Sequence, residues 1–413
     1  MHNVTPELID YLYLMPKRIK EDKQLNILIA SDSYKGSLNT MEVAERISKG
    51  VLNVIEDVNL MQIPVADGGE GTVDAMVDCL GGQIEYCDVV GPMGNTIHAK
   101  YGILKDGKAV IEMAAASGLP LIKEGERNVM QATTYGTGQL IKAALDKGCK
   151  KIYIGIGGSA TNDGGVGMAQ ALGGSFLDVN NQEVSFGGGV LKSVFHIDLS
   201  NMDKRLKDTE LIVMSDVSNP VCGPTGAAAI YGPQKGATAQ QIKILDEGLM
   251  NLANVIKKDL HSDIIKMEGG GAAGGLGMGL VAFTGAKLVS GIEAILQAAE
   301  FDEKLKWADL VITGEGRIDG QSINGKVPMG IAKRASIYGV PVIAIVGSIG
   351  ANAEVVYQYY IETMESCVIA PCTIEDAIKN ADRNLINATE RVMRSITLGM
   401  KLNKKIGNCE THL

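Results

Sequence analysis

The amino-acid sequence predicts an α/β protein of two domains, in which a doubly wound, Rossmann-like parallel-sheet domain is interrupted by an inserted α/β domain. A chain of 413 residues exceeds the roughly 250 to 300 residues at which single hydrophobic cores stop growing. Hydrophobic residues make up 46% of the chain and aromatic residues only 4%, with 51 glycines. This composition predicts an aliphatic core with many tight turns, which favours an α/β enzyme over a repeat scaffold or a disordered chain.

Alternating strand and helix patterns begin near residue 25. LNILIAS, residues 25–31, is an apolar run typical of a buried strand, and an amphipathic stretch follows it. Asn39 and Glu42 stand three apart at the start of that stretch, which predicts a helix with a capping box. A second buried strand is predicted at LMQIPVA, residues 60–66, followed by a short helix that ends near Gly81.

The pattern changes near residue 83, where a different unit is predicted to begin. QIEYCDVV, HAKYGIL and KAVIEM are typical of short strands, and residues 105–108 (KDGK) predict a hairpin turn between the last two. The same unit holds two more strand-like segments, a long helix and a glycine-dense stretch. These are YIGIGG (153–158), ELIVMSD (210–216), residues 238–260 and GGGAAGGLGMGLVAF (269–283).

The first pattern returns towards the end of the chain, in DLVITGE (309–315), VPVIAIVGS (340–348) and SCVIAP (366–371). We therefore predict a discontinuous Rossmann-like domain of residues 1–82 and 290–413, with residues 83–289 as the inserted α/β domain. In a doubly wound sheet, ligands bind beyond the carboxyl ends of the strands where the strand order reverses.

The strands at 25–31 and 309–315 could flank that reversal point. Such a placement would bring the polar residues that follow these strands together, namely Asp32, Lys35, Glu315, Arg317 and Asp319.

Charge and cysteine content exclude several classes of function. The formal net charge is 39 minus 48, or −9, and no run of basic residues interrupts it, which argues against a nucleic-acid partner. Seven cysteines without a C-x-x-C pair and five histidines without H-x-x-x-H favour reduced thiols over a disulfide framework or a zinc site. No run of eighteen uncharged apolar residues is present, so we expect a soluble, cytoplasmic protein with no membrane partner.

Two segments after the first strands could carry chemistry. In SDSYKGS, Asp32 could orient a hydroxyl or hold magnesium, and Lys35 could meet a phosphate. In PVADGGEGT, Asp67 and Glu70 flank glycines that would let a ligand approach backbone N–H groups. Each segment could equally be an ordinary solvated turn or a tight strand-to-helix turn.

The inserted unit holds a loop with two interpretations. Residues 155–160 match G-x-G-x-x-A after a strand, and Asp178 lies about twenty residues further on, as in a dinucleotide-binding fingerprint. Ser159, Thr161, Asn162 and Asp163 instead place polar groups in the turn where that fingerprint would begin its helix. Hydroxyl, amide and backbone donors of this kind suit phosphate groups equally well.

Two further segments of the inserted unit also allow two interpretations each. Asp216 ends a strand and Lys235 lies between glycines, so the pair could serve a metal and a phosphate, or the region could be an ordered loop. Residues 269–283 could form a glycine nest for an anion, or allow close helix packing by small residues.

GEGRIDGQSINGKVPMG, residues 314–330, resembles a phosphate-binding loop with one substitution. Gly320, Gly325 and Lys326 match G-x-x-x-x-G-K, but Val327 replaces the hydroxyl residue that binds magnesium in such loops. The predicted strand also ends near Glu315, too far upstream. We reject a phosphate-binding loop of that type and retain an acid and cation cluster suited to phosphoryl transfer, formed by Glu315, Arg317, Asp319 and Lys326.

Taken in order, these segments resemble a known family. DSYKGSLNTMEVA, PVADGGEGT, EMAAASGLPL, TTYGTGQLI, GGSATNDGG, DVSNPVCGP with YGPQKGA, GGGAAGGLG and DLVITGEGRIDGQSINGKVP are similar to segments of the bacterial glycerate kinase family, of the type that phosphorylates the 2-hydroxyl. The resemblance runs from about residue 25 to about residue 385. It implies transfer of the γ-phosphoryl group of ATP to D-glycerate, with Mg²⁺ as cofactor, ATP as co-substrate, and a monomer or homodimer.

The resemblance also implies site residues. We expect catalytic roles for Asp32, Lys35, Asp67, Arg317 and Asp319, with Asp67 and Asp319 as magnesium ligands. We expect substrate or nucleotide binding by Ser37, Gly68, Gly69, Glu70, Gly157, Gly158, Ser159, Thr161, Asn162, Asp163, Asp216, Lys235, Gly274, Gly275 and Glu315. The alternatives are a kinase of another small hydroxy acid, a nicotinamide-dependent oxidoreductase and a non-catalytic metabolite sensor.

Overall fold

A computed structural model of the chain describes residues 24–34, 36–63, 65, 71–323 and 326–410. Its strands, in chain order, are β1 (Leu25–Ile29), β2 (Val58–Gln62), β3 (Gly82–Val90), β4 (Thr96–Leu104), β5 (Ala109–Glu112), β6 (Lys151–Gly155), β7 (Ser175–Leu177), β8 (His196–Asp198), β9 (Glu210–Met214), β10 (Lys287–Val289), β11 (Leu310–Thr313), β12 (Arg317–Ile318), β13 (Val342–Val346), β14 (Ser348–Ile349) and β15 (Thr363–Ser366).

The α-helices are α1 (Thr40–Leu52), α2 (Thr72–Leu80), α3 (Ala114–Ser117), α4 (Tyr135–Asp146), α5 (Val166–Ala171), α6 (Ala227–Tyr231), α7 (Ala239–Leu260), α8 (Ala272–Thr284), α9 (Gly291–Ala298), α10 (Phe301–Trp307), α11 (Val327–Ile337), α12 (Ile374–Lys379) and α13 (Ala381–Glu410). No helix in the described part of the chain is long and apolar enough to cross a membrane.

The chain divides into two compact units, one of residues 1–67 with 296–413 and one of residues 68–295. This division differs from the predicted boundaries at residues 82 and 290. Helix α2 packs against β4 and β5 of the second unit, and Val73 N–H donates to buried Glu112 of β5 at 2.8 Å. The strand-and-helix pattern of residues 60–81 therefore spans a boundary that periodicity alone does not reveal.

The first unit is built on a five-stranded parallel sheet with the order β15-β13-β11-β1-β2. All five residues of β1 are buried, as its continuous apolar run predicts for a strand covered on both faces. The strand β2 is the edge strand, and four of its five residues are half-buried or exposed. The prediction of a second buried strand at residues 60–66 is therefore wrong in its bounds and in its burial, because the strand is Val58–Gln62 and only Val58 of it is buried.

The strand order reverses between β1 and β11. Strand β1 is followed along the chain by β2 on one side, while β11, β13 and β15 extend the sheet on the other side. The predicted position of the reversal point is confirmed. Because the strands are parallel, the segments that follow β1, β11, β13 and β15 all leave the sheet at one edge.

One predicted strand of this sheet is misplaced. We predicted a strand at residues 366–371, but the strand ends at Ser366. The Ser366 hydroxyl accepts the Val368 N–H at 3.2 Å and donates to the Val368 carbonyl at 3.0 Å, which turns the chain out of the sheet. The apolar sequence continues beyond the end of the strand, so the apolar pattern alone placed the strand too far along the chain.

Helices α1 and α13 pack against each other in the first unit. The capping box predicted from Asn39 and Glu42 is confirmed at the start of α1. Small residues allow close contact at its other end, since a Cβ added to Gly50 would lie 2.5 Å from Thr389 Cβ and 2.8 Å from the Ile386 carbonyl oxygen. The two helices therefore approach more closely there than alanine would permit.

The second unit is built on a six-stranded mixed sheet with the order β10-β9-β6-β5-β4-β3. The predicted hairpin between β4 and β5 is confirmed as an antiparallel pair, with Gly107 at φ 76° in its turn. The predicted helix at residues 238–260 is α7, which begins with a capping box formed by Thr238 and Gln241. Helix α8 begins irregularly, because Ala273, Gly274 and Gly275 all have positive φ.

We expect Gly50→Ala to destabilise the first unit. Overpacking against α13 costs about 1–3 kcal/mol, which exceeds the gain of about 1 kcal/mol in helix propensity. The free energy of unfolding from urea titration should therefore fall.

Gly399→Ala on α13 is the matched control, because nothing lies within 4 Å of a Cβ at that position. It should raise the free energy of unfolding by up to about 1 kcal/mol. Equal effects of the two substitutions would contradict the close packing of α1 on α13.

Candidate functional site

The segments that follow β11 and β13 run side by side at the reversal point of the first sheet. A Cβ added to Gly314 would lie 2.0 Å from the Ile345 carbonyl oxygen, and one added to Gly347 would lie 2.3 Å from the Gly316 carbonyl oxygen. Gly347 N–H donates to the Glu315 carbonyl at 3.0 Å. These glycines let the chain continue as the short parallel ribbon of β12 and β14, which fixes Glu315 at the sheet edge.

Glu315 is a buried carboxylate with one unpaired oxygen. The side chain is only 10% exposed, and Oε2 lies 3.1 Å from Lys326 Nζ. Oε1 is buried and has no hydrogen-bond partner within the described residues. Burial raises the pKa of Glu315, and the neighbouring Lys326 ammonium opposes that rise. Such an oxygen is available to a cation or to a hydroxyl proton.

Two cations stand near this carboxylate. Lys326 Nζ also contacts the Ser322 hydroxyl at 3.0 Å and lies at the N-terminal end of α11. Arg317 is exposed, and its Nε lies 3.8 Å from Asp319 Oδ2. Asp319 Oδ1 accepts the Gln321 N–H at 3.0 Å, so one oxygen of this carboxylate is hydrogen-bonded within its own loop.

Asp32 completes the group from β1. Its N–H donates to the Gly314 carbonyl at 3.0 Å, which ties the end of β1 to the end of β11. Its Oδ1 accepts the Ser33 N–H at 2.7 Å. A cavity of about 360 Å³, here called the charged cavity, is lined by Asp32, Ser33, Glu315, Gly316, Arg317, Lys326 and Val327.

The predicted grouping of Asp32 with Glu315 and Arg317 is therefore found. The Asp319 side chain does not line the charged cavity. Ser37 does not line the charged cavity either, and its hydroxyl donates to the Tyr34 carbonyl at 3.0 Å. Lys35, Asp67, Gly68, Gly69 and Glu70 lie outside the described residues, so their predicted roles stay predictions.

A divalent cation is compatible with this donor set. No group of three or more His, Cys, Asp or Glu side chains in the described ranges is arranged to hold a metal. Mg²⁺ nevertheless needs only one or two protein carboxylates when substrate phosphates supply the other oxygens. The carboxylates of Asp32 and Glu315, two residues that line one cavity, meet that requirement.

The predicted residues of the second unit form an internal network. Asp163 is buried, and its Oδ2 accepts the Thr134 N–H and hydroxyl, both at 2.8 Å. Oδ1 accepts the Gly165 N–H at 3.2 Å. Burial raises the pKa of Asp163, and these hydrogen bonds oppose the rise. The carboxylate thus holds the loop before α5 against the start of α4.

Lys235 is the cationic member of this network. It is 1% exposed, and its Nζ donates to the Ser159 hydroxyl at 2.8 Å and to the Thr161 carbonyl at 2.6 Å. Burial lowers the pKa of Lys235 to about 7, although Asp163 acts in the opposite direction. We predicted a phosphate-binding role for Lys235, whereas in the structure its hydrogen bonds hold the Ser159–Thr161 loop.

Neighbouring residues share this internal packing. Thr161 Oγ1 and both amide atoms of Asn162 are buried without a hydrogen-bond partner among the described residues. A Cβ added to Gly274 would lie 2.0 Å from the Thr161 carbonyl oxygen, and Gly164 N–H donates to the Gly274 carbonyl at 3.0 Å. Of the two interpretations of residues 269–283, Gly274 therefore fits close packing by small residues. Gly275 likewise packs on Gly164.

The dinucleotide-binding interpretation is not supported by the local structure. Helix α5 begins at Val166, well beyond Gly157 and Gly158, which are exposed. Asp178 accepts N–H groups of its own turn, from Asn180 at 2.8 Å and Gln182 at 3.0 Å. Neither feature matches a fingerprint in which the helix opens at the glycines.

Asp216 was predicted to end a strand of residues 210–216, but β9 ends at Met214 and Asp216 lies two residues beyond it. Its Oδ1 accepts the Gly291 N–H at 2.9 Å, so it binds the first turn of α9.

Sequence reasoning missed Ser33, Gly316 and Val327 as lining residues of the charged cavity. All three flank residues that were predicted. Only their position could have identified them, because they lie directly beyond a parallel strand or at the start of the following helix.

A doubly wound sheet with carboxylates and cations around one cavity at its reversal point is typical of an α/β enzyme that acts on small molecules. The sequence profile of the Glycerate kinase family matches residues 27–397. The chain belongs to the glycerate kinase family, and it is an ATP-dependent kinase.

Similar proteins cover nearly the whole chain. A glycerate kinase of Halalkalibacterium halodurans is 49% identical over 92% of this chain and 99% of its own length. A glycerate 2-kinase of Escherichia coli K12 is 48% identical over 91% of this chain and 99% of its own length. A crystal structure assigned as glycerate kinase 2 from Salmonella typhimurium LT2 matches with a TM-score of 0.82 at 46% identity, covering 92% of this chain and 100% of that one.

The lowered pKa of Lys235 predicts a specific dependence of stability on pH. The folded-state pKa is about 7, while the ordinary value is 10.5. Between these values the unfolded chain binds one proton more than the folded chain. The free energy of unfolding therefore rises with pH, by up to about 1.4 kcal/mol per pH unit. Lys235→Met should remove this rise between pH 7.5 and 9.5, as measured by urea titration.

Lys243→Met on α7 is the control, because Lys243 is exposed. That variant should keep the wild-type slope. Parallel profiles for wild type and Lys235→Met would show that Lys235 keeps its proton in the folded protein.

Proposed function

We propose that this protein transfers the γ-phosphoryl group of MgATP to the 2-hydroxyl of D-glycerate, giving 2-phosphoglycerate and ADP. The proposal rests on membership of the glycerate kinase family and on similarity to a protein named glycerate 2-kinase. The observation that carries it is the buried Glu315, with its unpaired Oε1, in one cavity with Asp32, Arg317 and Lys326.

Phosphoryl transfer needs little covalent help from the protein. The hydroxyl oxygen forms a bond to the γ-phosphorus while the bond from that phosphorus to the β–γ bridging oxygen breaks. ADP leaves with the bridging oxygen, and the hydroxyl proton passes to water. Negative charge spreads over the phosphoryl oxygens as this happens. Positively charged groups fixed in advance lower the barrier, because they need no rearrangement during the reaction.

Arg317 and Lys326 are suited to that task. Arg317 is exposed at the cavity, and its Nε lies 3.8 Å from Asp319 Oδ2, so its guanidinium is able to make charge-assisted hydrogen bonds to a phosphate. Lys326 is held at Glu315 and the Ser322 hydroxyl. The two cations would offset charge on the phosphates or on the carboxylate of the acceptor.

Asp32 and Glu315 would hold Mg²⁺ by their carboxylate oxygens, and the bound ion would offset the charge of the phosphate oxygens. We assign this role to them in preference to Asp319, because Asp32 and Glu315 line the charged cavity and Asp319 does not. Asp67 stays a predicted ligand. Lys326 holds Oε2 of Glu315, and Oε1 has no hydrogen-bond partner among the described residues.

The second unit holds a candidate anion-binding loop of its own. Gly157 and Gly158 are exposed, directly before the segment that Lys235 and Asp163 hold in place. Their backbone N–H groups are candidate donors to an anionic group.

We also propose a cytoplasmic protein that acts as a monomer or homodimer on small molecules. All of Cys87, Cys149, Cys222, Cys367 and Cys372 are free thiols, which is typical of a reducing compartment.

The reaction itself is tested by incubating the protein with MgATP and D-glycerate and following ADP release and the phosphorus NMR spectrum. We expect a 2-phosphoglycerate signal that grows with ADP. A 3-phosphoglycerate signal would contradict the proposed regiochemistry. ADP release with other hydroxy acids but not with D-glycerate would point to the alternative acceptor.

Glu315→Gln should lower kcat by about 10²- to 10³-fold. The amide keeps the side-chain volume but removes the negative charge. The free energy of unfolding should change by less than about 1 kcal/mol, because Lys326 is partly exposed and solvent stabilises it.

Glu354→Gln is the matched control, since Glu354 is an exposed acid of the same unit. It should leave kcat and the free energy of unfolding unchanged. An unaltered kcat in Glu315→Gln would remove Glu315 from the proposed site.

A further inference from the structure

A second cavity, of about 350 Å³, adjoins the charged cavity in the first unit. Gly316 and Arg317 line both cavities. Arg317 belongs to β12, which pairs with Ser348 of β14, and Ser348 also lines the second cavity. The ribbon of β12 and β14 is therefore a shared wall, and the two cavities are neighbours at the carboxyl edge of one sheet.

The second cavity is mainly apolar, and it is called the apolar cavity here. Val368, Ala377 and Ile378 line it, together with Ile374. Ile374 is 80% exposed and Ile378 is 42% exposed, so two aliphatic side chains face solvent around a concave surface. A ligand that covered them would gain the free energy of burying apolar area.

Charge is concentrated on one side of the apolar cavity. Among its described lining residues, Arg317 is the single charged side chain. The Cys367 thiol stays neutral, because burial raises its pKa to about 12. The apolar cavity thus suits an uncharged group whose anionic extension points towards Arg317.

One lining residue offers unused hydrogen-bonding capacity. The Asn384 side-chain amide lines the apolar cavity and makes no hydrogen bond to another described residue. By contrast, the Thr373 hydroxyl is occupied by Asp376, at 2.8 Å. An asparagine amide donates and accepts at once, which matches the adjacent donor and acceptor on an adenine edge.

We propose that the apolar cavity binds the nucleobase of the ATP co-substrate, with the phosphate chain passing Arg317 into the charged cavity. A nucleoside triphosphate carries a flat apolar ring at one end and anionic phosphates at the other, in the same order as the two cavities. The volume of about 350 Å³ lies within the range of small-molecule sites. This inference rests on the proposed function, in which the charged cavity takes phosphates.

Cys372 provides a direct probe of occupancy. It lines the apolar cavity and is exposed, whereas Cys87, Cys149, Cys222 and Cys367 are buried or half-buried. The alkylation rate of Cys372 in the wild-type protein is measured by peptide mass spectrometry, with ADP, adenosine, tripolyphosphate or no addition.

Saturating ADP and saturating adenosine should each slow alkylation of Cys372 by about fivefold or more, because bound ligand removes the accessible form by mass action. Tripolyphosphate should leave the rate unchanged. Protection by tripolyphosphate equal to that by ADP, or no protection by ADP, would overturn the inference. Protection that depends on protein concentration, without ligand, would instead place a second copy of the chain on this surface.

A pair of variants tests the cavity without the thiol. Ala377→Phe fills the apolar cavity and should raise KM for ATP by about tenfold or more, with KM for D-glycerate changed less than about twofold. Glu375→Phe adds the same ring to α12 at a position that does not line the cavity, and it should leave both values unchanged. An unchanged KM for ATP in a folded Ala377→Phe variant would contradict the proposal.

The two proposals fail in different ways. A wild-type protein that phosphorylates D-glycerate but shows no ADP protection of Cys372 retains the proposed function and loses the nucleobase site. A protein that shows ADP and adenosine protection but no phosphorylation of D-glycerate retains the nucleobase site and loses the proposed acceptor.

Discussion

The charged cavity depends on one interaction, the contact between buried Glu315 and Lys326 at 3.1 Å. Burying a carboxylate is costly unless a cation or hydrogen bonds compensate it. Lys326 compensates one oxygen only, so the other oxygen keeps its capacity to bind. Gly314 and Gly347 make the arrangement possible, because side chains there would collide with neighbouring carbonyl groups. The reactivity of the site thus follows from the close approach of two strand ends.

The second unit uses buried charge differently. Lys235 and Asp163 are both buried, and each forms hydrogen bonds with the surrounding loops. These groups fix the segment from Ser159 to Asp163, and the exposed Gly157 and Gly158 precede it directly. A rigid loop presents its backbone donors at a lower entropic cost on binding than a mobile one. The network is therefore a positioning device in our account.

Much of this architecture follows from the sequence. The apolar runs of β1 and β11 and the polar residues after them predicted both the reversal point and the grouping of Asp32 with Glu315. That inference succeeds because parallel strands share an edge, so the order of segments carries spatial information. The capping box at Asn39 is equally local, since its partner is three residues away.

Other features could not be predicted, because the deciding contact is distant in sequence or leaves no periodic pattern. The internal hydrogen bonds of Lys235 are one example, because their acceptors Ser159 and Thr161 come from another loop. The prediction of a strand at residues 366–371 is wrong, because the pairing with β13 ends at Ser366 while the apolar sequence continues. The apolar cavity had no sequence signal, because α12, α13 and the β12–β14 ribbon enclose it together.

The central claim is that nucleotide phosphates bind in the charged cavity at the reversal point of the first sheet. A crystal structure of the protein with Mg²⁺, a non-hydrolysable ATP analogue and D-glycerate tests it most directly. The account predicts the triphosphate beside Arg317 and Lys326, with the metal on Asp32 and Glu315. A triphosphate bound instead on the Gly157–Asp163 loop, with Glu315 still unpaired and remote from it, would contradict the account.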